Sequence, residues 1–161
     1  MNLMNANSRD VEHMKSRMPP VLPCLVAVLA GSGLNAWLPW SLGQRSLSLA
    51  AGAVLFVAMV CLAVATWRAF HRHATPLDPA YETVAIVQTG PFRYTRNPAY
   101  LGFCLLQAAI GCFFDNAWIL VFIIPAVIAI QQIVVLREEA YLEEKFGQAY
   151  LRYKQKVRRW L

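Results

Sequence analysis

Residues 117–136 read AWILVFIIPAVIAIQQIVVL, twenty consecutive positions without a charge. A helix needs about 20 apolar residues to cross the hydrocarbon of a bilayer. A helix on the surface of a soluble domain would carry a polar face instead. Three more uncharged runs precede this one, at residues 21–40, 46–67 and 99–114. The 46–67 run has the length of a full span, and so does 21–40 despite Pro23, Pro39 and the Gly31-Ser32-Gly33 step. The 99–114 run has only 16 residues, so it is expected to borrow length or to sit partly re-entrant.

Composition agrees. Of 161 residues, 58% are hydrophobic and 15% charged, whereas a soluble domain is nearer half apolar and about a quarter charged. Of the 15 basic residues, only Arg45 lies between the first two runs, and none lies between the last two, where Asp115 sits. The others precede the first run, separate the second from the third, or follow the fourth. The positive-inside rule makes their side cytoplasmic, with both termini inside. A net charge of +6 is then accounted for by topology and anionic headgroups, with no need of a nucleic-acid partner. The expected fold is all-α, a polytopic membrane helical bundle of about four transmembrane helices with a cytoplasmic amphipathic C-terminal helix. Residues 1–18 form a polar leader, 19–67 two transmembrane helices, and 68–161 a loop, a helical hairpin and the C-terminal helix.

The basic leader and the small residues at 30–33 also fit a signal peptide. Cleavage would leave an odd number of crossings, so a retained span is expected. Cys24, Cys61, Cys104 and Cys112 all lie inside apolar runs, with no C-x-x-C pair and no histidine at ligand spacing. They read as small buried hydrophobes, and no metal site is expected. In the loop after the second run, residues 84–87 fit a strand or an interfacial segment, and His71 and His73 fit interfacial polar residues.

Two segments carry candidate chemistry. The first runs from Gly90 to Gly102, GPFRYTRNPAYLG. Asn97-Pro98 is a helix-start signal: asparagine is a strong N-cap, proline suits the first helical position, and it holds its predecessor out of the helix. Arg93 and Arg96 stand just outside that helix N-terminus, a place that suits an anion; lipid anchoring is the alternative. Gly102 allows a close approach by another helix or a ligand.

The second segment runs from Arg137 to Tyr153, REEAYLEEKFGQAYLRY. On a helical projection Val135, Leu142, Phe146, Tyr150 and Tyr153 form the apolar stripe. Glu139 falls on it, Glu138 borders it, and Glu143 and Glu144 point away. A charge on a packing face near a membrane is expensive without a partner, and the arginines before the third run are the expected partners. A structural ion pair is the alternative role for Glu139. Gly147 is expected to end or kink the helix, and the basic tail beyond it to lie on the membrane surface. Together the segments predict a polar site at the cytoplasmic interface, suited to a charged or zwitterionic ligand and a lipid-soluble partner.

These segments, in this order, resemble the isoprenylcysteine carboxyl methyltransferase and phospholipid methyltransferase family of membrane enzymes. The family pattern G-P-[YF]-R-x-x-R-[HN]-P-x-Y-x-G is met from Gly90 to Gly102 without a gap. The pattern E-E-x-x-L-x-x-x-F-G-x-x-Y-x-x-Y is met at Glu138, Glu139, Leu142, Phe146, Gly147, Tyr150 and Tyr153, closing on Val157-Arg158-Arg159-Trp160. Thr75-Pro76 and Pro79 also look like short bacterial members. The similarity covers about residues 68–161, which it makes the catalytic region.

The resemblance implies an S-adenosylmethionine-dependent methyltransferase, in keeping with the lack of any Gly-rich strand–turn–helix cofactor motif. It implies cofactor contacts at Arg96, Asn97, Tyr100, Leu101, Gly102, Glu138 and Glu139, with Arg93, Arg137 and Glu139 as candidate catalytic residues. The acceptor would be a lipophilic small molecule or lipidated substrate, isoprenylcysteine-like or phospholipid-like, in a bacterial inner membrane. A carboxylate acceptor would need only a cation such as Arg93 or Arg137 to orient it; an amine would need a base, for which Glu139 is nearest. Eukaryotic carboxyl methyltransferases have histidine where this chain has Asn97, so no acid–base role is expected there. The alternative is a non-catalytic membrane protein or accessory subunit with a degenerate ligand site. A transporter fits less well, since the spans lack paired intramembrane charges.

Overall fold

A computed structural model describes residues 19–72 and 85–161. The leader 1–18, His73, Thr75, Pro76, Pro79 and residue 84 lie outside the described residues. The elements of the described residues are all helical, with a single isolated bridge between Thr95 and Arg158. Helix α1 spans Val21–Trp37, α2 Arg45–Arg72 and α3 Pro98–Phe113. Helix α4 runs over Ala117–Phe146, and α5 over Gln148–Lys156. Helices α2 and α4, of 28 and 30 residues, are long and apolar enough to cross a membrane. Helices α1 and α3 are apolar but shorter, at 17 and 16 residues. The third run thus forms an unbroken helix starting at Pro98. At 1.5 Å per residue it is about 24 Å long, short of the ~30 Å hydrocarbon core.

Each boundary has a local cause. Pro125 cannot donate the N–H that would bond the carbonyl of Val121, and α4 steps through a turn at Phe122, between Ala117–Val121 and Ile123–Ile130. Farther along, Gln131–Val135 winds as a π-turn, with the Leu136 N–H donating to the Gln131 carbonyl. The apolar stretch of α4 ends at Leu136, and the charged turns from Arg137 to Phe146 lie outside the membrane-spanning segment. Gly147, at φ 51° and ψ −127°, breaks the chain sharply, a conformation open to glycine and strained for other residues.

Helix α3 packs against both α2 and α4, and α1 lies along α4. Three glycines set the spacing. A β-carbon on Gly31 would stand 2.9 Å from the backbone nitrogen of Ile119, one on Gly52 2.8 Å from the Phe113 ring, and one on Gly111 2.8 Å from Leu120. These are close helix contacts of the small-residue kind common between membrane helices. The α1–α2 and α3–α4 connections meet at the far end. There Asp115 accepts from the Leu42 N–H at 2.9 Å and from the Ser48 hydroxyl at 3.2 Å. Asn116 caps α4 by accepting from the N–H groups of Trp118 and Ile119. The Trp118 indole donates to the Leu38 carbonyl at 2.7 Å, and its ring meets Trp40 edge-on.

The opposite end gathers the start of α1, the end of α2, the start of α3, the end of α4 and all of α5. The core beneath it is formed by Cys24, Ala27, Tyr100, Ala126, Ile130, Val134 and Val135, with Trp160 packed against it. The outer faces of α1 and α2 are mostly exposed apolar side chains, among them Leu29, Leu47, Val54 and Val57. That arrangement suits lipid, which has no polar group to reject them. His71 lies in the last turn of α2 and stacks on Trp67. Residues 85–87 form no strand; Val87 packs with Ala69 and Phe92 instead.

Candidate functional site

The approach to α3 is held in place before the helix begins. Gly90 turns at φ 61° into a single 3-10 turn, Gly90–Arg93. Phe92 is buried against Ala69 and Val87 and meets Phe70 edge-on. Thr95 then lies extended beside Arg158, and the Arg96 N–H donates to the Arg158 carbonyl at 3.0 Å. Asn97 sits at the N-cap position, but its side chain makes no cap hydrogen bond. Its amide donates instead to the Arg159 carbonyl at 2.8 Å, which also accepts from the Thr95 hydroxyl at 3.2 Å. The helix-start signal therefore marks the right residue, while its side chain ties down the C-terminal tail.

That tail packs its tyrosine face on the protein itself, with Arg152, Gln155 and Lys156 exposed on the other side. Beyond Gly147, α5 folds back against the turn before α3, with Tyr150 and Tyr153 buried. The Tyr153 hydroxyl donates to the Phe92 carbonyl at 2.9 Å. Residues 157–161 cross the opening of α3, and the Trp160 indole donates to Gln131 Oε1 in the π-turn at 2.9 Å. The expected amphipathic surface helix is thus a strap over the site, its tyrosine face turned inward.

Glu139 is the hub. The residue is only 5% exposed, and it is met by three cations. Arg159 donates in a fork, Nε to Oε1 and Nη2 to Oε2, each at 2.9 Å. Arg96 Nη1 stands 3.1 Å from Oε1, and Lys154 Nζ 3.7 Å from Oε2. Lys154 also pairs with Glu143. Burial pushes the Glu139 carboxyl up, but the Arg159 hydrogen bonds and the charges of Arg96, Arg159 and Lys154 outweigh it. The net result lies below the ordinary carboxylate value. Glu139 is accordingly a fixed anion, engaged by its own chain.

Glu138 differs. It accepts from the buried Tyr100 hydroxyl at 2.6 Å, and burial, only partly offset by that bond, holds its carboxyl above the ordinary value. Two adjacent carboxyls are thus pushed in opposite directions by their surroundings, Glu138 by burial and Glu139 by its cations.

Two features, one just before α3 and one in its first turns, are not used up by the protein's own contacts. The Arg96 side chain is only 8% exposed, yet its Nε has no hydrogen-bond partner among the described residues, and Nη1 faces Glu139 without hydrogen-bonding alignment. Gly102 is buried, yet among the described residues nothing stands within 4 Å of where its β-carbon would be. Gly31, Gly52 and Gly111 leave no such room, so Gly102 opens on space where they serve close packing. A buried guanidinium with unused donors, and open space at a glycine in the first turns of the following helix, fit a ligand carrying a carboxylate and a bulkier body.

The remaining predicted positions separate. Leu101 is partly buried in the first turn of α3, while Arg93 and Arg137 are exposed. The structure brings Arg96, Asn97, Tyr100, Glu138 and Glu139 together and leaves Arg93 and Arg137 exposed. It adds Thr95, Tyr150, Lys154, Arg159 and the Trp160–Gln131 link. Among the described residues no cluster of histidine, cysteine or carboxylate could hold a metal ion.

The chain is 45% identical over 62 residues to an uncharacterised protein of Haemophilus influenzae, a stretch covering 38% of this chain and 98% of that one. No solved structure matches. The phospholipid methyltransferase family matches over residues 47–149, from the second residue beyond the start of α2, across the whole α3–α4 hairpin, to the first turn of α5. That match reaches farther back than the two motifs and stops before most of α5 and the residues 157–161 that follow it. With the α3–α4 hairpin, nearly all of α2, the N-P helix start and the double glutamate inside the matched region, this membrane protein belongs to the phospholipid methyltransferase family.

Proposed function

We propose that this protein is an integral membrane methyltransferase that moves a methyl group from S-adenosylmethionine to a lipophilic acceptor drawn from the bilayer. The observation that carries the reading is the buried Arg96 with its unpartnered Nε, on the same helix opening as the unfilled space at Gly102. Arg96 suits the donor's carboxylate by a charge-assisted hydrogen bond. Glu138 suits its cationic amino group, and the opening at Gly102 gives room for its body. When bound, S-adenosylmethionine supplies a methyl group on a sulfonium, and the protein's task is to orient the reactants and exclude water.

The acceptor's nucleophile is a carboxylate or an amine. A carboxylate is reactive as it stands, and the exposed Arg93 and Arg137 suit its orientation. An amine must lose a proton, and here the assignment moves from Glu139 to Glu138. Glu139 is held ionised and low by its cations, which makes it a poor base, whereas Glu138 is shifted toward neutrality. Four membrane crossings with the site on the cytoplasmic side complete the reading, supported by the basic residues, of which Arg45 alone belongs to the far end.

Calorimetry with the purified protein in detergent tests it. The protein is expected to bind S-adenosylmethionine, and Arg96→Gln to weaken binding on the order of tenfold or more, as for a lost hydrogen bond to a charged group. A folded protein with no measurable binding would return the chain to a non-catalytic membrane component.

A further inference from the structure

Arg159 lies ten residues beyond the end of the family match at residue 149, yet it grips both the site's fixed carboxylate and the approach to α3. Its guanidinium occupies both oxygens of Glu139 in a fork, and its carbonyl collects Thr95 and Asn97. The consequence falls on Arg96. A carboxylate and a guanidinium prefer the two-point, in-plane arrangement, and Glu139 gives that arrangement to Arg159. Arg96 is left at 3.1 Å, off the hydrogen-bonding angle, with Nε unpartnered. It is neutralised by proximity, but its donors are not spent.

We infer that Arg159 is a positioning residue: by taking the forked seat on Glu139 it keeps the buried Arg96 guanidinium available to donate to an anionic group of the ligand. The inference rests on the donor site proposed above. Without Arg159 the seat falls vacant 3.1 Å from Arg96, which swings into it. The site then loses its anion donor although Arg96 is still present. Tyr150, which lies within hydrogen-bonding reach of Arg96, cannot hold it back, because a neutral phenol competes poorly with a carboxylate for a guanidinium.

This coupling has a signature that a purely structural contact lacks. Arg159→Gln should weaken S-adenosylmethionine binding to the full chain in detergent by about tenfold, the cost of one charge-assisted contact. Adding Glu139→Gln removes the competing carboxylate and releases Arg96 again. The double variant should therefore bind within about threefold of the unaltered chain, although it has lost two polar groups instead of one. A structural role predicts the reverse, with the second substitution adding to the damage. Where Arg159→Gln does not fold, Arg159→Lys, which keeps the charge but not the fork, carries the same comparison with and without Glu139→Gln.

Binding by Arg159→Gln equal to that of the unaltered chain would overturn the inference, and so would a double variant no tighter than the single one. Both results leave the donor site standing. Absence of binding by the unaltered chain would remove the site and this inference with it.

Discussion

Gly102 and Gly31 look alike in the sequence, each a glycine inside an apolar run, and the structure gives them opposite surroundings. A β-carbon on Gly31 would strike the backbone of Ile119, while one on Gly102 meets no described atom within 4 Å. Gly102→Ala should leave the thermal midpoint in detergent unchanged or slightly raised, since alanine is favoured over glycine inside a helix by about 0.8–1 kcal/mol. Gly102→Leu should also fold, but its side chain enters the space assigned to the donor, and calorimetry should find S-adenosylmethionine binding abolished. Unchanged binding by the leucine variant would show that the space is no part of the site. Helical spacing predicts that Glu139 is buried and that an arginine before α3 meets it, and Arg96 does so. It does not single out Arg159 as a partner, because 20 residues and a break at Gly147 separate it from Glu139, and no periodicity survives such a break. The side chain of Asn97 departs from expectation for a related reason: an N-cap serves its own helix by default, and only the arrival of the strap gives it a better acceptor.

At the scale of elements, two glycines divide stability from function. Gly31→Ala forces a β-carbon into backbone that cannot yield, and overpacking of this kind costs about 1–3 kcal/mol. It acts along the α1–α4 contact, away from the Arg96–Glu139 hub, so the thermal midpoint should fall while the folded fraction binds the donor unchanged. Gly147→Ala meets no atom within 4 Å, but alanine resists φ 51° and ψ −127°. Relief comes by letting α4 run on into α5, which draws Tyr150, Lys154 and Arg159 off the hub. Donor binding should then fall further than the midpoint does; full affinity in the Gly147→Ala variant would mean that the break does not position the strap. The break itself is legible from Gly147. The direction of α5 is not, because its tyrosine face suits a bilayer surface and a protein surface equally well. The π-turn at Gln131–Val135 is also hidden, since reading faces by a 3.6-residue period assumes the very winding that such a turn interrupts.

For the whole molecule, the crowding of charge at one end ties folding to pH through two neighbouring carboxyls shifted in opposite directions. The four apolar runs and the uneven placement of basic residues are plain in the sequence, because hydrocarbon admits little else. Which helices touch is not, since one apolar surface resembles another until glycine contacts choose between them. Glu139 has a folded pKa below its ordinary 4.5, so it contributes stability that is present above that value and is lost as pH falls through the folded value. Glu138 has a folded pKa above 4.5. Its burial costs nothing in acid, and the cost grows as pH rises from about 4.5 through the folded value. Thermal midpoints measured across this range in detergent should therefore separate the two. Glu139→Gln should lower the midpoint at neutral pH and flatten its fall below about pH 4.5, because the ion-paired anion is gone. Glu138→Gln should instead raise the neutral midpoint relative to the acid one, because an amide accepts from the Tyr100 hydroxyl without any charge to bury. Parallel shifts by the two variants at every pH would mean that their opposite environments do not persist in solution, and with them would go the contrast between a fixed anion and a carboxyl shifted toward neutrality.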